Sequence, residues 1–264
     1  MTFNILISCM HEKDTSIIER SNVQSDVVVV NQCDLDSVEE FDFVNKKGKT
    51  CHAKFINTTE RGLSRSRNMA ICNAWGDVCL ICDDDEWMAD DCEEKILNAY
   101  NQTQEAGVIT FALKRNDCTM SYSLKKMKLG LKGILKTSSV QVSFSRLKVN
   151  TAKIVFDEKM GSGTGNGGGE ENRFLLDCRT AGFKMFYYPD IIATINKGES
   201  KWIKGYTEKY FRDRGWTSRR NLGAVLGFLF IIYNSVRHRK SFVKDGIPFC
   251  GVLKNMLIGF FEKR

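Results

Sequence analysis

Three consecutive carboxylates, Asp83, Asp84 and Asp85, stand at the end of an apolar run of strand length, Val78 to Cys82. Adjacent carboxylates repel one another unless a cation neutralises them, and a cluster of hard oxygen donors suits Mg2+ or Mn2+. A second acidic pair, Glu170 and Glu171, follows the glycine-rich loop Gly161 to Gly169 and opens a helix. Glu171, Phe174, Leu175 and Cys178 fall at i, i+3, i+4 and i+7. The pattern therefore predicts Glu171 at the head of the buried stripe, with Glu170 about 100° around the helix from it. An inward carboxylate on a first helical turn either caps the helix or works as a general base. The third group is Arg67, which shares a helical stripe with Leu63, Ala70, Ile71 and Ala74. A guanidinium turned inward needs an anionic partner. The glycine loop is not a phosphate-binding P-loop, because no Gly-Lys-Ser/Thr follows it.

The elements that must position these groups read as an α/β alternation. A helix from Leu63 to Ala74, with Ser64 as its cap and Gly76 as a left-handed stop, leads into the strand Val78 to Cys82. The aspartates then lie beyond the carboxyl end of a strand, where open α/β sheets bind ligands. Phe3 to Ser8 reads as a first strand and Val27 to Val30 as a second, ending at Asn31-Gln32-Cys33-Asp34. Ala53 to Asn57 makes a third, Ala89 to Gln104 a helix, and Gly107 to Leu113 another strand. Lys114 to Lys136 is lysine-rich without a period, a solvated surface or a lid, and Ser139 to Ser145 alternates as a half-buried strand. Phe183 to Tyr188 and Ile191 to Ile195 read as two short strands joined near Pro189.

From Lys201 onward the composition turns helical and basic. Arg212, Arg214, Arg219 and Arg220 precede the apolar run Leu222 to Tyr233; Arg237, His238, Arg239 and Lys240 follow it; and Val252 to Phe261 is amphipathic. Such helices either pack on their own domain or lie on an anionic membrane surface, and the pattern leaves both open.

A chain of 264 residues holds one α/β domain and a modest appendage. The formal charge of +7 permits an anionic partner. Nucleic acid is not expected, since the basic residues lack an aromatic-interleaved recognition motif. Ten cysteines are scattered, with Cys79 and Cys82 a lone CxxC and only three histidines in the chain, which argues against zinc or redox use. Buried thiols in a reducing cytoplasm fit better. The amino terminus has no signal-peptide pattern, and the longest apolar run, about a dozen residues, falls short of a membrane span. The expected location is cytoplasmic, including the inner face of the cell membrane.

Arg67-Asn68, Gly76-Asp77 and the strand ending in Asp83-Asp84-Asp85 resemble glycosyltransferase family 2, over roughly residues 3–200. The resemblance is nearest to bacterial enzymes of capsular and other surface-polysaccharide assembly. It implies a GT-A fold, a Rossmann-like mixed α/β sheet flanked by helices, over residues 1–200, with a helical basic and amphipathic extension over 201–264. It also implies inverting transfer of a hexosyl group from a nucleotide sugar to a glycan or a polyprenyl-diphosphate-linked acceptor. UDP is the commonest family choice of nucleotide.

In that family an Asp-x-Asp element binds Mn2+ or Mg2+ on the donor diphosphate. The resemblance thus assigns the metal to Asp85, with Asp83 helping to hold it and to place ribose or sugar, and puts Asp84 in the donor site. Ser8, Asn31 and Asp34 lie where the family contacts the nucleoside, Arg67 at the diphosphate, Asn68 beside it in the donor site, and Trp202 in a segment that closes over the donor. Gly169-Glu170-Glu171 matches the family's Gly-Glu-Asp, whose Asp is the catalytic base, so Glu171 takes that role and Glu170 is the alternative. The extra methylene moves the carboxylate by about 1.5 Å, one C–C bond. Two rival readings stand. A sugar nucleotidylyltransferase would carry a glycine-rich, basic loop after strand one, where Cys9-Met10-His11-Glu12 stands instead. A non-catalytic, membrane-associated sugar-nucleotide-binding module would not need Glu170 or Glu171.

Overall fold

The computed structural model describes residues 1–115, 122–195, 206–238 and 248–264. Trp202, Arg239 and Lys240, together with residues 116–121 of the lysine-rich stretch, lie outside them. The β-branched and aliphatic runs form the centre of a ten-stranded sheet, ordered β3-β4-β2-β1-β5-β9-β7-β10-β6, with β8 on β10. In chain order the strands are β1 (Phe3–Met10), β2 (Val27–Gln32), β3 (Ser37–Val44), β4 (Thr50–Thr58) and β5 (Val78–Asp83). There follow β6 (Glu86–Met88), β7 (Ala106–Arg115), β8 (Met127–Lys128), β9 (Val142–Ser145) and β10 (Lys184–Ile195).

Strands β4, β2, β1 and β5 run parallel, and β2, β1 and β5 are buried on both faces. Their alternate residues feed two cores, as expected of parallel strands covered by helices on each side. Phe3, Ile5, Ile7, Val27, Val29 and Leu80 point to the face covered by α3 (Cys92–Gln102). Leu6, Val28, Val30 and Ile81 point to α2 (Leu63–Asn73), α5 (Arg146–Thr151) and α6 (Glu170–Thr180). Two short helices, α1 (Ile17–Arg20) and α4 (Leu131–Ile134), sit in connections.

Several expectations need correction. Strand β3 escaped the sequence reading because it is an edge strand with almost no buried residue to create a pattern. The run 183–195 is one strand with register shifts between Tyr188 and Ala193, so Pro189 sits at a bulge and not between strands. Ser139–Gln141 is a 3-10 turn ahead of β9, and β9 is buried on both faces. Ser64 lies inside α2, whose N-cap is Gly62, and its hydroxyl donates to the Met160 carbonyl at 2.8 Å. Gly76 has no left-handed backbone; it is required because a Cβ there would stand 2.8 Å from the Asn4 nitrogen.

Only Asp84 and Asp85 separate β5 from β6, yet β6 pairs with β10 at the far edge of the sheet. The three Cα–Cα steps from Asp83 to Glu86 reach only about 10 Å. The sheet therefore curls back on itself, and its far edge lies beneath the end of β5.

The extension is a small helical layer with its own core of Phe211, Ile231, Val252, Met256 and Phe260. It consists of α7 (Glu208–Arg237) and α8 (Phe249–Phe261). Helix α7 breaks at Gly223, where φ is 73°. In a straight helix residues 218 and 227 would be about 13 Å apart. Here a Cβ on Gly227 would lie 2.7 Å from the Ser218 carbonyl oxygen, so the two halves of α7 fold back as a hairpin.

Candidate active site

The parallel strands end together. In register, Ser8 pairs with Asp83 and Val30, and Asn31 pairs with Cys9 and Asn57, so β1, β2, β4 and β5 bring these residues to one edge. Asp84 and Asp85 are exposed in the turn beyond it.

Arg67 is the organising side chain of this edge. It is only 1% exposed, and its guanidinium spans two carboxylates: Nη2 donates to Asp83 Oδ1 at 2.7 Å and Nη1 to Glu170 Oε1 at 2.9 Å. The second oxygen of Asp83 accepts from the Ser139 hydroxyl at 2.9 Å. One buried cation thus ties the end of β5 to the first turn of α6. The two carboxylates hold Arg67 well above its ordinary pKa, although burial alone would lower it. The anionic partner expected of an inward arginine is therefore a pair of protein carboxylates, and the guanidinium forks are already engaged before any diphosphate arrives.

The acidic pair on α6 is arranged differently from its helical pattern. Glu170, expected off the stripe, is 5% exposed and paired with Arg67; Glu171 is half-buried. The reason is tertiary: α2 and the glycine loop enclose the start of α6 on the side that an isolated helix would leave to water. Gly161 packs against Glu170, where a Cβ would stand 3.1 Å from the carboxyl carbon, and its φ of 93° favours glycine as well. This loop is not loose. Leu63 donates its N–H to the Ser162 carbonyl at 2.9 Å, and the Thr217 hydroxyl of α7 donates to the Gly168 carbonyl at 3.2 Å.

No ion pair among the described residues holds the Glu171 carboxylate. Burial first, and then the adjacent Glu170 charge, push its pKa up to about 8, against a smaller opposing pull from Arg67. A carboxylate that titrates near neutrality is suited to accepting a proton.

The other expected donor residues are largely committed to internal bonds. Ser8 accepts from the Ser66 hydroxyl at 2.9 Å. The Asn31 carboxamide accepts from the Glu12 N–H at 3.0 Å and donates to the Glu12 carbonyl and to Asn57 Oδ1, which fixes the loop after β1. Asn68 exchanges two bonds with the Phe156 backbone, at 2.9 and 2.7 Å, and so holds the chain leading to the glycine loop. Asp34 is exposed and pairs with Arg61 at 2.5 Å. These residues shape the edge; only Asp34, Asp84 and Asp85 among them stand in solvent.

Glu86 was missed. It is buried, its Oε2 accepts the Asp83 N–H at 3.2 Å, and burial followed by the Asp83 and Asp85 charges raises its pKa well above the usual carboxylate range. A neutral Glu86 braces the turn without adding a further charge beneath the aspartates. Its inward direction was available from the alternation with exposed Trp87 and buried Met88.

A metal fits the turn only in part. Among the described residues no group of three or more His, Cys, Asp or Glu could enclose an ion. With Asp83 bonded through both oxygens, Asp85 and Asp84 offer the hard oxygen donors. That set suits an ion shared with donor phosphates and water.

The nine described cysteines are all free, and among the described residues no helix is long and apolar enough to cross a membrane.

No curated protein sequence matches the chain. Among solved structures it is similar to S. aureus TarS 1-349 in complex with UDP-GlcNAc, at 17% identity and a TM-score of 0.63, over 94% of this chain and 75% of that one. The same TarS fragment in complex with UDP gives 16% identity and 0.59, over 86% and 67%. A mannosyltransferase from Pyrobaculum calidifontis, in complex with GDP-Man and Mn2+, gives 13% and 0.49, over 97% and 73%. At these identities the likeness is one of fold, and the fold is GT-A. The sequence model described as "Glycosyl transferase family 2" matches residues 15–158, from α1 past the aspartate turn. That match takes in more than half of the chain, so the protein is a member of glycosyltransferase family 2, an enzyme that transfers sugar from a nucleotide sugar.

Proposed function

We propose that the protein transfers a hexosyl group, with inversion, from a UDP-sugar to a hydroxyl of a glycan or polyprenyl-diphosphate-linked acceptor in surface-polysaccharide synthesis. The observation that carries this reading is the Arg67 bridge, which sets the start of α6, with Glu171, beside the strand end that bears the aspartates. Glu171 takes the proton of the acceptor hydroxyl as that oxygen forms the new bond to the sugar. Glu170 holds Arg67, and Arg67 holds Asp83 in place. Asp83 is thus an anchor of the turn more than a metal ligand. Asp85, with Asp84 beside it, would hold a Mn2+ or Mg2+ ion, whose charge would offset that of the leaving diphosphate.

The test is thermal stabilisation by a panel of nucleotide sugars with and without Mn2+, since a specific ligand raises Tm by mass action. The expected result is metal-dependent stabilisation by a UDP-sugar that disappears in Asp85→Ala. Stabilisation that is unchanged in that variant would remove the metal assignment, and a panel without any stabilising sugar would remove the donor class.

We also infer that the helical extension rests on an anionic membrane surface. Residues 1–200 carry 25 Lys and Arg against 28 Asp and Glu, whereas residues 201–264 carry 14 against 4. On the second half of α7, Val225, Leu229, Ile232 and Val236 are each 41–74% exposed along one ridge that ends at exposed Arg237. An apolar face bordered by cations suits the interface of acidic lipid. Leu229→Asp, and replacement of Arg237, Arg239 and Lys240 by Gln, should each weaken co-sedimentation with phosphatidylglycerol vesicles, the charge variant more strongly at low salt. Equal sedimentation of all forms would return these helices to a packing role.

A further inference from the structure

A cleft of about 800 Å3 lies where the extension meets the catalytic domain. Residues 155–158 form one wall, Arg173 and Asp177 of α6 a second, and Trp216, Arg219 and Arg220 of α7 with residues 262–264 the third. None of the described residues assigned above to donor, metal or base lines it. Phe156 belongs to both sites: its ring lies 5.4 Å from the Arg67 guanidinium on the other side of the wall.

The charges in this cleft do not cancel. Each of its four acids already has a cation: Asp157 pairs with Arg220, Glu158 with Arg65 at 3.4 Å, Asp177 with Arg173 at 2.6 Å and Glu262 with Arg264 at 2.6 Å. Arg219 and Lys263 have no carboxylate partner among the described residues. The Arg219 guanidinium lies 5.2 Å from the centre of the Phe260 ring and 5.9 Å from that of Phe261, and its only hydrogen bond among the described residues, at 3.5 Å, goes to the Phe260 carbonyl. Trp216 supports Arg220 and Arg264 in the same way, at 5.2 and 5.7 Å. Rings beneath guanidinium groups limit their rotation, so less order is lost when an anion binds.

We propose that this cleft is a second binding site, separate from the donor site, for a phosphate-bearing ligand. Arginine presents its N–H groups in a planar fork that matches phosphate oxygens, and Lys263 adds a point charge beside it. The volume falls within the roughly 300–1,000 Å3 of small-molecule sites and far exceeds a single anion, so the phosphate is one group of a larger molecule. Two sources share that chemistry: a phosphorylated soluble glycan, or the headgroup of a lipid at the surface on which the extension rests.

The test is calorimetric titration of the full-length protein with inorganic tripolyphosphate in metal-free buffer. Arg219 and Lys263 are exposed, so Arg219→Gln with Lys263→Gln should leave the fold intact, and an unchanged Tm checks this. The double variant should bind tripolyphosphate at least about tenfold more weakly, or about 1.4 kcal/mol. The neutralisation of Lys47 and Lys49, which pair with Glu94 and Glu93 of α3 on the opposite face of the sheet, should not change binding. Competition by phosphatidylglycerol vesicles, and not by phosphatidylcholine vesicles, would identify a lipid headgroup; failure of both to compete would identify a soluble phosphate. Wild-type affinity in the double variant, an equal loss in the Lys47 and Lys49 control, or no binding by the native protein would overturn the proposal.

Discussion

The turn after β5 and the first turn of α6 both crowd carboxylates, and Arg67 touches both, yet the two regions hold their charges in opposite ways. At the turn, Asp83 is fixed by Arg67 and Ser139 while Asp84 and Asp85 stand in solvent, and the fourth acid, Glu86, is buried and pushed toward its neutral form. At α6, Glu170 is buried and ion-paired while Glu171 is half-buried with its pKa raised. Asp84 and Asp85 are exposed to water. Removal of water from Glu171 makes it hold a proton more tightly. In the proposed mechanism the same functional group serves as a metal donor in one place and as a base in the other, and its surroundings make the difference.

The largest expected effect separates the two regions directly. Glu171→Gln keeps shape and hydrogen bonding but cannot accept a proton, so single-turnover transfer at saturating donor should fall by about 10²–10⁴ while metal-dependent donor binding persists. A parallel loss of donor binding would mean that α6 belongs to the donor site and that the contrast between the regions is false.

Cutting the link between the regions comes next. Arg67→Met leaves Glu170 buried and Asp83 partly buried without their cation, and should cost about 3–5 kcal/mol of stability. This differs from what an arginine serving only the diphosphate would show, since such a residue could be replaced without harm to the fold. Arg67→Met combined with Glu170→Gln should recover part of the loss, because one stranded charge is removed. Strictly additive losses in denaturant melts would show that the bridge carries no coupling.

The smallest effect is a shift in pH dependence. Glu171 with a raised pKa is protonated below about 8, so activity should climb as pH rises through that region. Glu170→Gln removes the neighbouring negative charge and leaves the Arg67 field less opposed; both changes lower the Glu171 pKa. The acid limb of kcat/KM should then move to lower pH. An unmoved limb would separate Glu170 from the ionisation of the base.

The same contrast marks how far the chain could be read without coordinates. Local patterns were enough where one segment carried the information. The apolar runs 3–8, 27–30 and 78–82 became central strands, and the aspartates fell at a strand end, because burial on both faces leaves a near-continuous apolar run in the sequence. The inward direction of Arg67 was legible for the same reason, since its helical stripe is continuous. Edge strand β3 left no such signal, and the single strand β10 was split in reading by a proline that sits at a bulge.

Which carboxylate answers Arg67 was beyond the sequence, since Asp83 lies 16 positions away and Glu170 103, and only the packing of α2 across the strand ends brings them together. The burial of Glu170 had the same origin. Its helical angle pointed it away from the core, but the glycine loop and α2 enclosed it, and long-range packing outweighs one residue's place on an isolated helix. The composition of the chain thus determined the strands, the acidic turn and the inward arginine. Tertiary structure decided which acid is paired, which one holds its proton, and which ones face water, because charge state depends on the neighbours and solvent that only the folded chain supplies.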